Sequence, residues 1–270
     1  MTDVFATRAW IDGRPATASD LAPLAFAGFA HFTAMQVRGW RVRGLDLHLD
    51  RLRDGSQALF GSTVPEERIR DALRIAVADT PGDLSLTATV FSRSGEFRVG
   101  DPTDGCSILT RTFAPSDGPA GPLKLALTPH ERWRPEVKHV GESAKTHLLR
   151  EAAREGFDDS AFVDRRGRIG EATIWNLAFW DGAAVTWPQA DILAGVTMGI
   201  LRRRLTALGV PQCDAVVSAD GLSEFLGAVA MNSWTPGVAV ATVGTRTLPR
   251  SGDLVALLHR AYRTEPALAV

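Results

Sequence analysis

Cysteine, lysine and tyrosine are scarce in this chain of 270 residues, and long apolar runs are missing from it. The two cysteines, Cys106 and Cys213, have no metal-binding spacing, so we expect reduced thiols and a cytoplasmic protein. A membrane helix needs about 20 consecutive apolar residues, and no stretch approaches that length. We therefore expect neither a membrane anchor nor an N-terminal leader peptide.

The chain also has no excess of either charge: it contains 30 basic and 31 acidic residues, for a net charge of −1. No segment combines basic residues with interleaved aromatic ones, which argues against nucleic acid as a partner. The basic residues are arginines except for Lys124, Lys138 and Lys145. If the chemistry requires a lysine amine, only these three can supply it.

Turn and periodicity signals predict an N-terminal α+β domain over residues 1–113. Asp12-Gly13 is a typical tight turn, because these residues accept positive φ angles. The sequence from Thr63 to Glu66 resembles a capping box. The predicted elements are a hairpin over residues 10–15, a second hairpin over 32–42, a helix from Leu45, a second helix opened by the capping box, and a strand over 84–93.

Residues 114–122 contain three prolines and two glycines, so they predict a linker between two domains. The second predicted domain, residues 123–270, is also α+β. Its predicted elements are a helix over residues 143–155, a hairpin from 160 to the strand containing Glu171, a turn at 181–182 followed by a strand over 185–187, and helices over 197–208 and 254–260.

The order of motifs in the second domain is distinctive. Lys138 precedes a helix that ends at Gly156, and a hairpin, Glu171 and Asn176 follow. This succession closely resembles the class IV aminotransferases, which include branched-chain and D-amino-acid aminotransferases and aminodeoxychorismate lyases. The resemblance extends from about residue 10 to about residue 240. It implies a two-domain fold of type IV, pyridoxal 5′-phosphate as cofactor, and a homodimer.

By this resemblance, Lys138 holds the cofactor through a Schiff base and transfers the proton at the substrate Cα, while Glu171 pairs with the pyridine nitrogen. The chemistry agrees, because a nucleophilic amine must lose its proton and a carboxylate keeps the ring nitrogen protonated. Lys145 lies within a predicted helix next to packed leucines. Lys124 lies in a predicted strand with no acid at a matching distance.

Three segments resemble the phosphate-binding motifs of the family. His48-x-x-Arg51 resembles the family's His-x-x-Arg helix, and an arginine can donate two parallel hydrogen bonds to a phosphate. The segment that ends in Val196-Thr197 precedes a helix, whose N-terminus favours an anion. Ser233 occupies the position of a third phosphate donor.

Ser92-Arg93 resembles a segment of the D-amino-acid transaminase and lyase branches whose arginine faces the substrate carboxylate. By resemblance Arg93 therefore binds the substrate, and a sheet-edge arginine is the alternative. The family's tyrosine motif is replaced here by residues 27–30, an asparagine by Gly141 and an arginine by Met198. These departures argue against a standard branched-chain enzyme.

Transamination between an amino donor and a keto acid is the leading hypothesis. The donor class stays open among D-amino acids, L-amino acids and amines. A lyase of the aminodeoxychorismate lyase type is the second hypothesis. A cofactor-binding homologue without catalytic activity is the third hypothesis, because a fold can persist after its catalytic activity is lost.

Overall fold

A computed structural model describes residues 7–26, 28–93 and 105–270. The chain divides into two compact units: unit 1 comprises Met1–Ser116, Val137–Glu142 and Ala267–Val270, and unit 2 comprises Asp117–Glu136 and Ser143–Pro266. The first division falls inside the predicted linker. The sequence-based division kept residues 123–270 together, whereas the structure assigns Val137–Glu142, and with it Lys138, to unit 1.

The elements of unit 1 are β1 (Arg8–Ile11), β2 (Arg14–Pro15), α1 (Ala18–Leu21), a 3-10 helix (Ala22–Phe26), β3 (Ala30–Val37), β4 (Arg41–Arg43), α2 (Leu45–Phe60), α3 (Glu66–Val77), β5 (Leu84–Ser92), β6 (Cys106–Phe113) and the last strand of the chain, β16 (Ala267–Ala269). Five of the strands form an antiparallel sheet in the order β2-β1-β6-β5-β3. A separate two-stranded sheet pairs β4 with β16.

The first predicted hairpin is confirmed, and Asp12 and Gly13 both have positive φ angles in its turn. The second predicted hairpin is wrong in its pairing. Arg38 and Arg41 form only an isolated bridge, while β3 pairs with β5 along its whole length. The other edge of β3 bonds to the segment around His139, and β4 pairs instead with the C-terminal strand through all three of its residues.

Both predicted helices of unit 1 are confirmed, but the capping box is wrong. No side chain caps α3, and Pro65 occupies its N-cap position with φ −54° and ψ 135°. A proline disfavours helical geometry in the residue before it, so the helix cannot begin at Val64. A capping box is instead present at Thr17 and Asp20, where α1 begins.

The apolar stripes of α2 and α3 and one face of the sheet form the core of unit 1. Leu45, Leu49 and Leu52 of α2 are buried, as are Leu84 and Leu86 of β5. Each such side chain contributes roughly 2 kcal/mol when it leaves water. The regular alternation in β5 places its other residues on the opposite face.

The elements of unit 2 are β7 (Leu123–Pro129), α4 (Ser143–Arg154), β8 (Asp159–Val163), β9 (Ile169–Ala172), β10 (Asn176–Trp180), β11 (Val185–Pro188), α5 (Val196–Ala207), β12 (Gln212–Ala215), a 3-10 helix (Asp220–Glu224), β13 (Gly227–Met231), β14 (Val238–Val243), β15 (Arg246–Thr247) and α6 (Ser251–Arg263). The strands form a nine-stranded sheet in the order β12-β11-β10-β13-β14-β7-β8-β9, with β15 paired to β14.

The sheet of unit 2 closes on itself, because β9 also pairs with β10 through Glu171 and Asn176. Two parallel pairs, β7–β8 and β11–β12, are joined by α4 and α5 respectively. The predicted hairpin over β8 and β9 and the predicted helices are confirmed. Within the described part of the chain, no helix is long and apolar enough to cross a membrane.

Neither cysteine forms a disulfide within the described residues: Cys106 is half-buried and Cys213 is exposed. The described ranges hold no group of three or more histidine, cysteine or acidic residues that could bind a metal ion.

Candidate active site

Lys138 lies in a short extended segment beside β3. The N–H of Phe32 donates to the Lys138 carbonyl and the N–H of Val140 donates to the Ala30 carbonyl, each at 2.9 Å. His31 and His139 form an isolated antiparallel bridge. These bonds fix the backbone on both sides of Lys138, although the lysine is not part of a regular strand.

The amine of Lys138 contacts an aromatic ring. Val137 and His139 are buried, and successive residues of an extended chain alternate in direction, so the half-buried Lys138 side chain lies on the other face. Its Nζ lies 4.8 Å from the centroid of the Phe32 ring. The ring thus holds the amine in place and covers it with apolar surface.

Arg51 is half-buried on α2, one turn after a fully buried histidine. His48 Nδ1 lies 2.6 Å from the Thr33 hydroxyl of β3, which joins the helix to the strand beside Lys138. Burial, and then repulsion by Arg51, lower the pKa of His48 from its ordinary value of 6.5 to about 3. His48 is therefore neutral at physiological pH, and Arg51 carries the positive charge of this turn.

A second buried histidine packs nearby on the same face of β3. His31 Nε2 lies 2.9 Å from the Ser56 hydroxyl, and a Cβ on Gly55 would lie 2.6 Å from the His31 ring. Burial lowers the pKa of His31 from 6.5 to about 4. These contacts join α2 to β3 through two neutral histidines.

Acid should destabilise unit 1 because both histidines are neutral when folded. Below about pH 6.5 the unfolded chain protonates them and the folded chain does not, so the free energy of unfolding falls as pH decreases towards 4. The loss is about 1.4 kcal/mol per pH unit for each histidine. The free energy of unfolding is measured with urea at pH 7 and at pH 5. We expect the difference between the two values to be smaller in His48→Gln than in the parent protein, by about the contribution of one histidine. A variant with the pH dependence of the parent protein would contradict this account.

In unit 2, Glu171 is buried on β9 where the sheet closes. Its pairing with Asn176 fixes its backbone. Its Oε1 lies 3.5 Å from Nη1 of Arg132, and the two side chains are 6% and 3% exposed. The site thus contains a buried carboxyl group next to a guanidinium.

Asp159 fixes the loop that follows Glu171, and the sequence motifs did not point to it. Its carboxylate accepts hydrogen bonds from the Thr173 hydroxyl at 2.7 Å and from the Trp175 indole at 2.9 Å, as well as from two backbone N–H groups, of Ser160 and Thr173. Burial raises its pKa. An acidic residue at the start of a strand that ends in three apolar residues is the sequence signal for this role.

Asn176 connects Glu171 to the beginning of α5. Its Nδ2 donates to the Leu193 carbonyl at 2.7 Å. A Cβ on Gly195, the N-cap of α5, would lie only 1.8 Å from Asn176 Oδ1, so this close approach requires glycine. No side chain caps α5, so the N–H groups of its first turn, including those of Val196 and Thr197, form a helix N-terminus of the kind that can bind an anion.

The loop with Ser233 is tied to the same helix end. The Thr197 hydroxyl donates to the Asn232 carbonyl at 2.7 Å, so this hydroxyl has no second proton to donate to a ligand. Thr197 can still donate through its backbone N–H. Trp175 and Trp234 meet edge to face with centroids 5.9 Å apart, which further restrains the loop. Glu171, Val196, Thr197 and Ser233 are thus linked within unit 2.

Arg93 lies in unit 1 with Lys138 and Arg51, and its side chain is ion-paired. Its Nη2 lies 2.9 Å from Asp12 Oδ2, and its Nε donates to the Ser107 hydroxyl. The guanidinium is 47% exposed. An incoming carboxylate would have to compete with Asp12 for it. The rest of the predicted motif, residues 94–95, and Ala27 of the replaced tyrosine motif lie outside the described residues.

Comparison with known proteins identifies the family. The sequence matches the amino-transferase class IV family over residues 30–243. A search of curated proteins finds no match. The fold is similar to the branched-chain aminotransferase of Thermoproteus uzoniensis with norvaline (18% identity over 95% of this chain and 93% of that chain, TM-score 0.83).

Two other solved structures are similar over nearly the whole chain. The branched-chain aminotransferase of Escherichia coli has 16% identity, covers 95% of this chain and 93% of its own, and gives a TM-score of 0.81. A hypothetical aminotransferase from Mycobacterium tuberculosis in a PLP-bound form has 20% identity, covers 95% and 99%, and gives a TM-score of 0.75. The predicted family, the α+β fold of type IV and the predicted transamination are confirmed: the chain belongs to the class IV aminotransferases, which are pyridoxal-phosphate-dependent enzymes.

Proposed function

We propose that Lys138 and Glu171 are the catalytic residues and that Arg51, Val196, Thr197 and Ser233 bind the cofactor phosphate. The observation that carries the proposal is the buried carboxyl group of Glu171 beside Arg132, joined through Asn176 to an α5 N-terminus that no side chain caps. These groups fit pyridoxal phosphate, which needs a primary amine for its aldehyde, an acid for its ring nitrogen and an anion-binding helix N-terminus for its phosphate.

Bound pyridoxal phosphate supplies the electron sink for the bond broken at the substrate Cα. Lys138 would hold the cofactor covalently, and its amine would move the proton at the substrate Cα. Glu171 would accept a hydrogen bond from the ring nitrogen. Arg51, the first N–H groups of α5 and the Ser233 hydroxyl would bind the phosphate. Arg93 would bind the substrate carboxylate, in competition with Asp12.

The substrates are an amino donor and a keto-acid acceptor, and the donor is an amino acid or an amine. The proposal includes a homodimer, which family resemblance supports, and a cytoplasmic location, which two cysteines without a disulfide between them support. Nucleic acid and membrane surfaces are not proposed as partners, since the net charge is −1 and no basic stripe occurs.

A half-reaction screen tests this function. The enzyme loaded with pyridoxal phosphate is mixed with a panel of D-amino acids, L-amino acids and amines, and the absorbance change to pyridoxamine phosphate is followed. We expect at least one class of donor to convert the cofactor and a keto acid to restore it. Pyruvate release without a keto acid would favour the lyase. A spectrum that no amine changes would contradict catalysis.

A further inference from the structure

Arg132 and Glu171 form a buried ion pair within unit 2. The distance between Arg132 Nη1 and Glu171 Oε1 is 3.5 Å, and neither side chain is more than 6% exposed. The same Nη1 donates to the Pro135 carbonyl at 2.6 Å. The guanidinium is thus held by the backbone of its own segment, and its position does not depend on the carboxylate alone.

A buried carboxyl group has two alternatives when it meets no positive charge: it takes up a proton or it destabilises the fold. The neighbouring guanidinium removes both, because an opposite charge at short range stabilises the ionised form. Arginine suits this task since it stays protonated at every physiological pH.

We propose that Arg132 is a positioning residue that keeps Glu171 ionised and oriented for the ring nitrogen of the cofactor. This inference rests on the proposed role of Glu171. A carboxylate whose charge is stabilised by a guanidinium is a weak base, so it accepts the hydrogen bond of the ring N–H without taking the proton. The proton then stays on the ring nitrogen, where the chemistry requires it.

The test compares two ligands that differ only at the ring nitrogen: pyridoxal phosphate and its deaza analogue, which has a C–H group in place of that nitrogen. Their dissociation constants for the full-length apoprotein are measured with Arg132→Met, Arg132→Lys, Glu171→Gln and the double variant R132M/E171Q. Arg134→Met is the control, because Arg134 lies in the same segment but is 45% exposed and pairs with Glu136.

We expect Arg132→Met to weaken binding of pyridoxal phosphate by about 10- to 100-fold and binding of the deaza analogue by less than about 3-fold. Arg132→Lys should recover part of the lost affinity for pyridoxal phosphate, because lysine restores the positive charge but not the planar pair of hydrogen-bond donors of arginine. In the Glu171→Gln background, Arg132→Met should cause no further loss, since it acts through Glu171. Arg134→Met should change neither dissociation constant.

Equal losses for both ligands, or additive losses in the double variant, would overturn the inference. Arg132→Met leaves a buried charge unpaired and can impair folding. In that event a double variant that folds while the single variant does not supports the pair, and failure of both overturns it. A Glu171→Gln variant that does not discriminate between the ligands refutes the role of Glu171 itself. A selective Glu171→Gln effect without an Arg132→Met effect refutes only the role of Arg132.

Discussion

Lys138→Ala should lower the rate of transamination by on the order of 10⁴-fold, near the upper limit of what positioned proton transfer contributes. The variant loses both the amine that holds the cofactor and the base that moves the proton at the substrate Cα. Its backbone is held by the Phe32 and Val140 hydrogen bonds, which involve no side-chain atom of Lys138. The fold should therefore remain, and the half-reaction rate in stopped-flow absorbance measures the effect.

The two other lysines provide matched controls for this variant. Lys124 is exposed on β7 and Lys145 lies on α4. Alanine at either position should leave the half-reaction within about 3-fold of the parent rate, since surface substitutions usually have small effects. If Lys138→Ala retains most of its activity, or if Lys145→Ala loses it, then Lys138 is not the amine that holds the cofactor.

Glu171→Gln should lower the half-reaction rate by roughly 10²- to 10³-fold, the range found when a preorganised electrostatic group is removed. A glutamine accepts or donates a hydrogen bond but carries no charge, so it does not stabilise a protonated ring nitrogen. The measurement is made with saturating cofactor, so that weaker binding does not enter the rate.

Glu151→Gln is the control for this substitution. Glu151 lies on α4, is 49% exposed and pairs with His147, and its replacement should leave the rate unchanged. A Glu171→Gln enzyme as fast as this control would mean that the ring nitrogen needs no counter-charge from β9.

Local periodicity was sufficient to predict most helices and hairpins. The leucine stripe of α2 and the alternation of β5 depend only on neighbouring residues, and both are confirmed. Partner choice between strands depends on residues far apart in sequence, so the pairing of β3 with β5 and of β4 with β16 was not foreseen. The capping box failed because one proline changes the geometry of the residue before it.

The sequence motifs predicted the family, the fold and the candidate residues, but not how these residues are supported. Asp159 and Arg132 have no motif, and their contacts with the loop after β9 and with Glu171 arise only from the folded sheet. The assignment of Lys138 to unit 1 was also hidden, since it depends on hydrogen bonds to β3 rather than on composition.

Borohydride reduction of the loaded enzyme, followed by proteolysis and mass spectrometry of the peptides, tests the central assignment most directly. Reduction makes the bond between the lysine amine and the cofactor aldehyde permanent. We predict a single modified peptide whose phosphopyridoxyl group is on Lys138. A modified Lys124 or Lys145, or the absence of any modified peptide from a fully loaded enzyme, would contradict the account.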